Sequence, residues 1–153
     1  MGVRTRCRKA LLQARYASEQ SGVPLSVCMD TMRGLLSDPD IGVGAPLSNE
    51  DWAWALELGR VVAENRAAID EAISGLLRNY SLERLSLLTR LILEQATGEI
   101  RYLDPPTQTA VALDEAIELA RDFDSEEAAG FVNGVLDGMR SPGAAAAREE
   151  EGC

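Results

Sequence analysis

Hydrophobic positions recur at helical spacing along this chain, and no sustained alternation of apolar and polar residues marks a half-buried strand. With residues about 100° apart, Val3, Cys7, Ala10, Leu11, Ala14 and Ala17 fall on one apolar stripe, and Arg4, Arg8 and Arg15 share one of its edges. That helix is expected to stop near Ser21-Gly22, where glycine takes a left-handed cap; Pro24 then opens a second helix, to about Leu36.

The Pro- and Gly-rich stretch from Ser37 to Leu47 reads as an exposed connection. Ser48 with Asp51 resembles a capping box, starting a third helix with Trp52, Ala55, Leu56, Gly59, Val62 and Ala63 inward. Ile69, Ala72, Ile73, Leu76 and Leu77 form a fourth stripe. From Leu82 to Ile100 the apolar residues surround the helix, which predicts a central element packed from several sides. Asp104-Pro105-Pro106 stops it. A sixth helix is expected from about Thr107, with Leu113, Ala116, Ile117 and Ala120 inward. A seventh, capped by Ser125, has Phe131, Val132, Val135, Leu136 and Met139 on its buried side. The pattern predicts an all-α fold of about seven helices over residues 1–140, followed by a disordered acidic tail, 141–153.

Composition narrows the function. At 153 residues, 46% hydrophobic and 26% charged, the chain has the make-up of one soluble globular domain. No run approaches the roughly 20 apolar residues that cross a bilayer, and the N-terminus lacks an apolar secretory core, so a cytoplasmic protein without a membrane partner is expected. Histidine is absent, which removes Ser/His and Cys/His nucleophile pairs and imidazole metal ligands. Cys7, Cys28 and Cys153 show no CxxC spacing and are expected as reduced thiols. No cofactor, metal or catalytic residue is expected.

Charge changes the picture most. The net charge is −10, yet the first 18 residues hold Arg4, Arg6, Arg8, Lys9 and Arg15 with no acid, leaving −15 on the rest. Such asymmetry suggests a localised anion-binding surface on an acidic body.

The run from Tyr80, YSLERLSLLTRLIL, then TGEIRYL, a Pro-Pro turn, AVALDEAIELARDF and SEEAAGFVNGVLD, resembles the NusB family of bacterial transcription antitermination factors. Its most specific piece is Phe131 to Asp137, FVNGVLD; Arg8, Ala10 to Ala14 and Tyr16 resemble the family's opening helix. The resemblance covers about Arg4 to Asp137. It implies two packed helical halves and no catalysis. It also implies binding of boxA-type single-stranded RNA of ribosomal RNA leaders together with a small-subunit ribosomal protein, and an indirect link to RNA polymerase.

Arg4, Arg6, Arg8, Lys9, Tyr16 and Phe131 are the expected RNA-binding residues: guanidinium groups suit phosphate, and aromatic rings stack unpaired bases. Thr89, where the family is usually acidic, and Arg90 are expected at the protein-partner surface. Glu99, Asn133, Gly134 and Asp137 are expected to be structural, with Gly134 permitting close helix packing and Asn133 satisfying backbone groups. Glu94 and Gly130 stand where the family is often basic and are expected to remove positive charge from the RNA side. A divergent helical scaffold for protein contact stays open as the alternative, as does a homodimer.

Overall fold

The computed structural model describes residues 2–41 and 45–140. Among them are seven α-helices and two short 3-10 turns, with no strand. The tail expected over 141–153 lies outside the described residues. The chain divides into two compact units, Met1–Glu64 and Asn65–Cys153.

The first unit holds α1 (Val3–Ser21), α2 (Leu25–Ser37) and α3 (Asn49–Glu64). Gly22 ends α1 in the left-handed conformation, φ 76°, with its N–H donating to the Ser18 carbonyl. The Ser48–Asp51 capping box is reciprocal: Asp51 N–H donates to Ser48 Oγ at 3.1 Å and Ser48 N–H to Asp51 Oδ2 at 3.3 Å. Helix α1 packs against α2 and α3, with Cys7, Ala10, Leu11, Leu12 and Ala14 of α1 and Trp52, Ala55, Leu58, Gly59 and Val62 of α3 buried. Leu56, expected inward, is 44% exposed. Apolar residues surround much of α3, and the track at three- and four-residue spacing that includes Leu58 takes the core. Gly59 is closely covered: an added Cβ would stand 3.1 Å from Leu11 Cδ1.

The second unit holds α4 (Arg66–Leu76), α5 (Leu87–Arg101), α6 (Thr109–Phe123) and α7 (Glu126–Leu136). Here α5 packs against α4, α6 and α7. Every residue from Leu91 to Glu99 is buried, as the all-round apolar pattern predicts. The expected start at Leu82 is corrected: Leu82–Arg84 is a separate 3-10 turn, and Ser86 caps α5, its Oγ accepting from Thr89 N–H at 3.2 Å. A serine that satisfies an orphan N–H outweighs continued apolar periodicity at that point. Helix α6 starts two residues later than expected because Thr107 is bound to α5. Its N–H donates to the Glu99 carbonyl at 3.1 Å and its hydroxyl to Glu99 Oε1 at 2.9 Å. Ser125 caps α7, accepting from Ala128 N–H at 3.0 Å.

Gly134 does not serve close packing: nothing lies within 4 Å of a Cβ built there, nor at Gly130. Both sit exposed on α7, where glycine weakens a helix. Gly134→Ala is therefore expected to stabilise the protein by about 0.5–1 kcal/mol. Gly59→Ala, crowded by Leu11, should fall short of that gain. Urea unfolding of the two variants measures the difference, and equal gains would show that neither site is crowded.

Beneath these helices lies an ionic network. Arg90 Nη2 donates to Asp70 Oδ2 at 2.9 Å, and Glu94 Oε2 takes Arg66 Nε at 3.2 Å with Arg90 Nε at 3.5 Å. Burial alone would raise the Asp70 pKa, but hydrogen bonds with Glu94 and Arg90 and the charges of Arg90 and Arg66 hold it below the ordinary aspartate value. A depressed folded pKa means that this stabilisation is full above the ordinary value near 3.8 and is lost as pH falls through the lower folded value. Asp70→Asn is expected to cost about 1–3 kcal/mol at pH 7 and to flatten the acid limb of stability against pH, read by urea melts between pH 7 and pH 2.

Candidate nucleic-acid interface

Unit 1 presents the basic segment as the first three turns of α1. Arg4 is exposed, Arg6 and Lys9 are half-buried, and Tyr16 is 40% exposed. Arg8 and Arg15 are placed differently from the expectation, at 3% and 6% exposure. The helical wheel sets them on the edge shared with Arg4; long arginine stems commonly lie along apolar surface with their heads in water, whereas here the heads are covered as well. Arg8 lies against Trp54, to whose ring centroid its Cζ is 5.1 Å. Arg4 Cζ lies 4.3 Å from the same centroid. Arg6 Nη2 is buried without a hydrogen-bond partner. Cys7, between these arginines in sequence, is buried, and burial pushes its thiol pKa up despite the nearby cations, which keeps it unreactive.

Unit 2 holds the other aromatic candidate, Phe131. It lies edge-on to Tyr80, ring centroids 5.8 Å apart and planes at 87°. Tyr80 is 58% exposed. The two rings, with Leu76, Leu77, Arg78, Asn79 and Gly134, line an open groove of about 500 Å³. An exposed tyrosine against a half-buried phenylalanine, beside an arginine and an amide, has what an unpaired base needs: a ring face to stack on, and polar groups for its edge. Tyr80 was not singled out from the sequence. Its signal was an aromatic following Arg78-Asn79 at a helix boundary, in a chain with only 5% aromatics.

The remaining expected residues serve the unit's own structure. Thr89 is 7% exposed and its hydroxyl accepts from Ser86 Oγ at 3.0 Å; Arg90 is held by Asp70 and Glu94. Thr89 thus belongs to the start of α5 and Arg90 to the ionic network. Glu94, expected to subtract charge from the RNA side, is 0% exposed and compensated by Arg66 and Arg90, so it presents no charge to a ligand. Glu99 is buried and accepts from Thr107. The Asn133 side chain, expected to satisfy backbone groups, meets Arg140 instead, its Oδ1 accepting from Nη2 at 3.2 Å, and Asp137 Oδ1 pairs with Arg140 Nε at 2.7 Å. Among the described residues no three metal-ligating side chains come together, and no helix is long and apolar enough to cross a membrane.

A profile of the NusB family matches residues 5–141. The chain belongs to the NusB family. The transcription antitermination protein NusB of Sorangium cellulosum is 39% identical over 138 residues, 90% of this chain and 91% of that protein. That of Anaeromyxobacter dehalogenans is 36% identical over 90% of both chains. The solved structure of T. maritima NusB superposes with a TM-score of 0.73 at 30% identity, covering 88% of this chain and 87% of that one. A structure of antitermination factors NusB and NusE in complex with double-stranded RNA shares the fold, with a TM-score of 0.74 at 19% identity over 88% of this chain and 93% of that one. The chain thus shares the all-α fold of its NusB-family relatives.

Gly130 is a position on α7 open to recovering a cation. It is exposed, nothing stands within 4 Å of an added Cβ, and Phe131 follows it. Gly130→Lys is expected to tighten single-stranded RNA binding about two- to fivefold at low salt and to steepen the salt dependence by up to about one phosphate's worth of released counterion. Fluorescence anisotropy at several salt concentrations measures both, and unchanged affinity would place this stretch of α7 outside the RNA's reach.

Proposed function

We propose that this chain binds boxA-type single-stranded RNA of ribosomal RNA leaders in the bacterial cytoplasm, beside a small-subunit ribosomal protein. The observation that carries the proposal is the opening of α1: five cations without an acid in the first 18 residues of a chain of net charge −10, with the exposed Arg4 against Trp54. Family membership over residues 5–141 and the relative solved with NusE and RNA support it. Arg4, Arg6 and Lys9 supply phosphate contacts; Tyr16, and separately Tyr80 with Phe131, supply ring faces. The ribosomal protein brings positive charge of its own, which offsets repulsion between the acidic body and the RNA.

A second reading, a scaffold for protein contact without RNA affinity, draws on the burial of Arg8 and Arg15, which withdraws two cations from the surface. The substitution Arg4→Ala, Arg6→Ala, Lys9→Ala separates the two. Under the RNA reading it weakens binding by about tenfold or more and lowers the slope of log K against log salt by about 0.7 for each phosphate that is no longer neutralised. Calorimetry with and without the ribosomal protein should show positive, reciprocal coupling of about 1–3 kcal/mol. Wild-type affinity and slope in the triple variant would place the RNA site away from the opening of α1, and no binding of RNA by the wild type in either condition would favour the scaffold.

A further inference from the structure

The basic edge of unit 1 contains one aromatic side chain that neither fills the core nor stands free in solvent. Trp54 is half-buried on α3, and two guanidinium groups of α1 lie over its ring, Arg4 at 4.3 Å and Arg8 at 5.1 Å from the centroid. Arg8 is buried and Arg4 is exposed, so the indole joins an interior cation to a solvent-facing one. The negative face of indole attracts both.

The position of Arg4 makes this contact consequential. Arg4 lies in the first turn of a helix whose N-cap, Gly2, makes no side-chain hydrogen bond and whose first turn has no acid. A helix end of this kind frays, and a cation there is disfavoured by the helix dipole. Contact with a ring on a different helix opposes both tendencies. A guanidinium held by its face also keeps its in-plane N–H donors available for the oxygens of a phosphate, whereas an ammonium lacks that flat face.

We propose that Trp54 is a positioning residue of the RNA surface, holding the Arg4 guanidinium in a preset place through a cation–π contact shared with Arg8. A phosphate then meets a fixed fork instead of a freely rotating side chain, and less conformational freedom is lost on binding. The proposal rests on the RNA-binding reading and adds the residue that fixes its geometry.

The test titrates the full chain with a single-stranded boxA-type leader RNA, comparing wild type, Trp54→Leu, Trp54→Phe, Arg4→Lys, Arg4→Ala and the double variant Arg4→Ala, Trp54→Leu. Trp54→Leu is expected to weaken binding about fivefold, and Trp54→Phe, which keeps an aromatic face, only about twofold. Arg4→Lys keeps the charge but should still lose affinity about threefold. Arg4→Ala should cost less on the Trp54→Leu background than on the wild type, a non-additivity that general destabilisation does not produce. Wild-type affinity in Trp54→Leu, or an equal cost of Arg4→Ala on both backgrounds, overturns the positioning role while RNA binding stands. If Trp54→Leu does not fold, Trp54→Gln takes its place in the cycle: a smaller cost of Arg4→Ala on that background than on the wild type supports the role, and an equal cost overturns it. Failure of the wild type itself to bind RNA overturns the RNA reading, and this inference with it.

Discussion

Burying nine consecutive residues of α5, Leu91 to Glu99, is the constraint around which the second unit is organised. A helix removed from water on every side can keep a polar residue only if a partner is built for it. Glu94 has Arg66 and Arg90, Glu99 has Thr107, and the Thr97 hydroxyl donates to the Leu93 carbonyl at 2.8 Å. Those partners come from α4, from α5 itself and from the turn before α6, so satisfying one helix fixes its neighbours. The same packing places α7 and the segment that follows α4, which bring Phe131 and Tyr80 to one groove.

The first unit is organised by apolar contact at its centre and by arginine chemistry at its edge. Gly59 lets α3 approach Leu11, and the same helix turns Trp54 toward the arginines of α1. A buried guanidinium is tolerable because its charge is delocalised and weakly hydrated, and because an aromatic face partly replaces the water it gives up. This is how α1 can be both a core helix, through Cys7, Leu11 and Ala14, and a cationic surface, through Arg4.

Much of the fold was legible because it depends on local rules. The Gly22 cap, the Ser48 capping box and the Ser125 cap each need only a few adjacent residues, and all three formed as the sequence predicts. What could not be read depends on choices between local signals or on distant partners. Ser86 gave a capping signal inside an apolar run, and periodicity alone extended the helix through it. Glu94 reads as surface charge in the sequence because the arginine that meets it, Arg66, lies 28 residues away. Gly134 and Gly59 look alike in sequence, and only their surroundings distinguish a helix contact from open space. At the interface, the basic segment was visible from charge alone, but the depth of Arg8 and Arg15 depended on where their stems find apolar surface. The Tyr80–Phe131 pair joins residues 51 positions apart, beyond any local pattern.

An acidic protein can attract a polyanion only where its cations are not already cancelled by its own carboxylates. In unit 2, Arg66, Arg90, Arg121 and Arg140 all pair with acids, Arg121 with both Glu118 and Glu126. In unit 1, Arg60 is likewise held by Glu57 and Glu64. Arg4 differs in kind: its partner is an aromatic ring, which fixes a guanidinium without neutralising it. A cation–π contact separates two things that an ion pair joins, the placing of a charge and its cancellation. With most of the remaining surface acidic, that separation localises positive potential at the opening of α1, and charge pattern and side-chain geometry thus point to the same few residues.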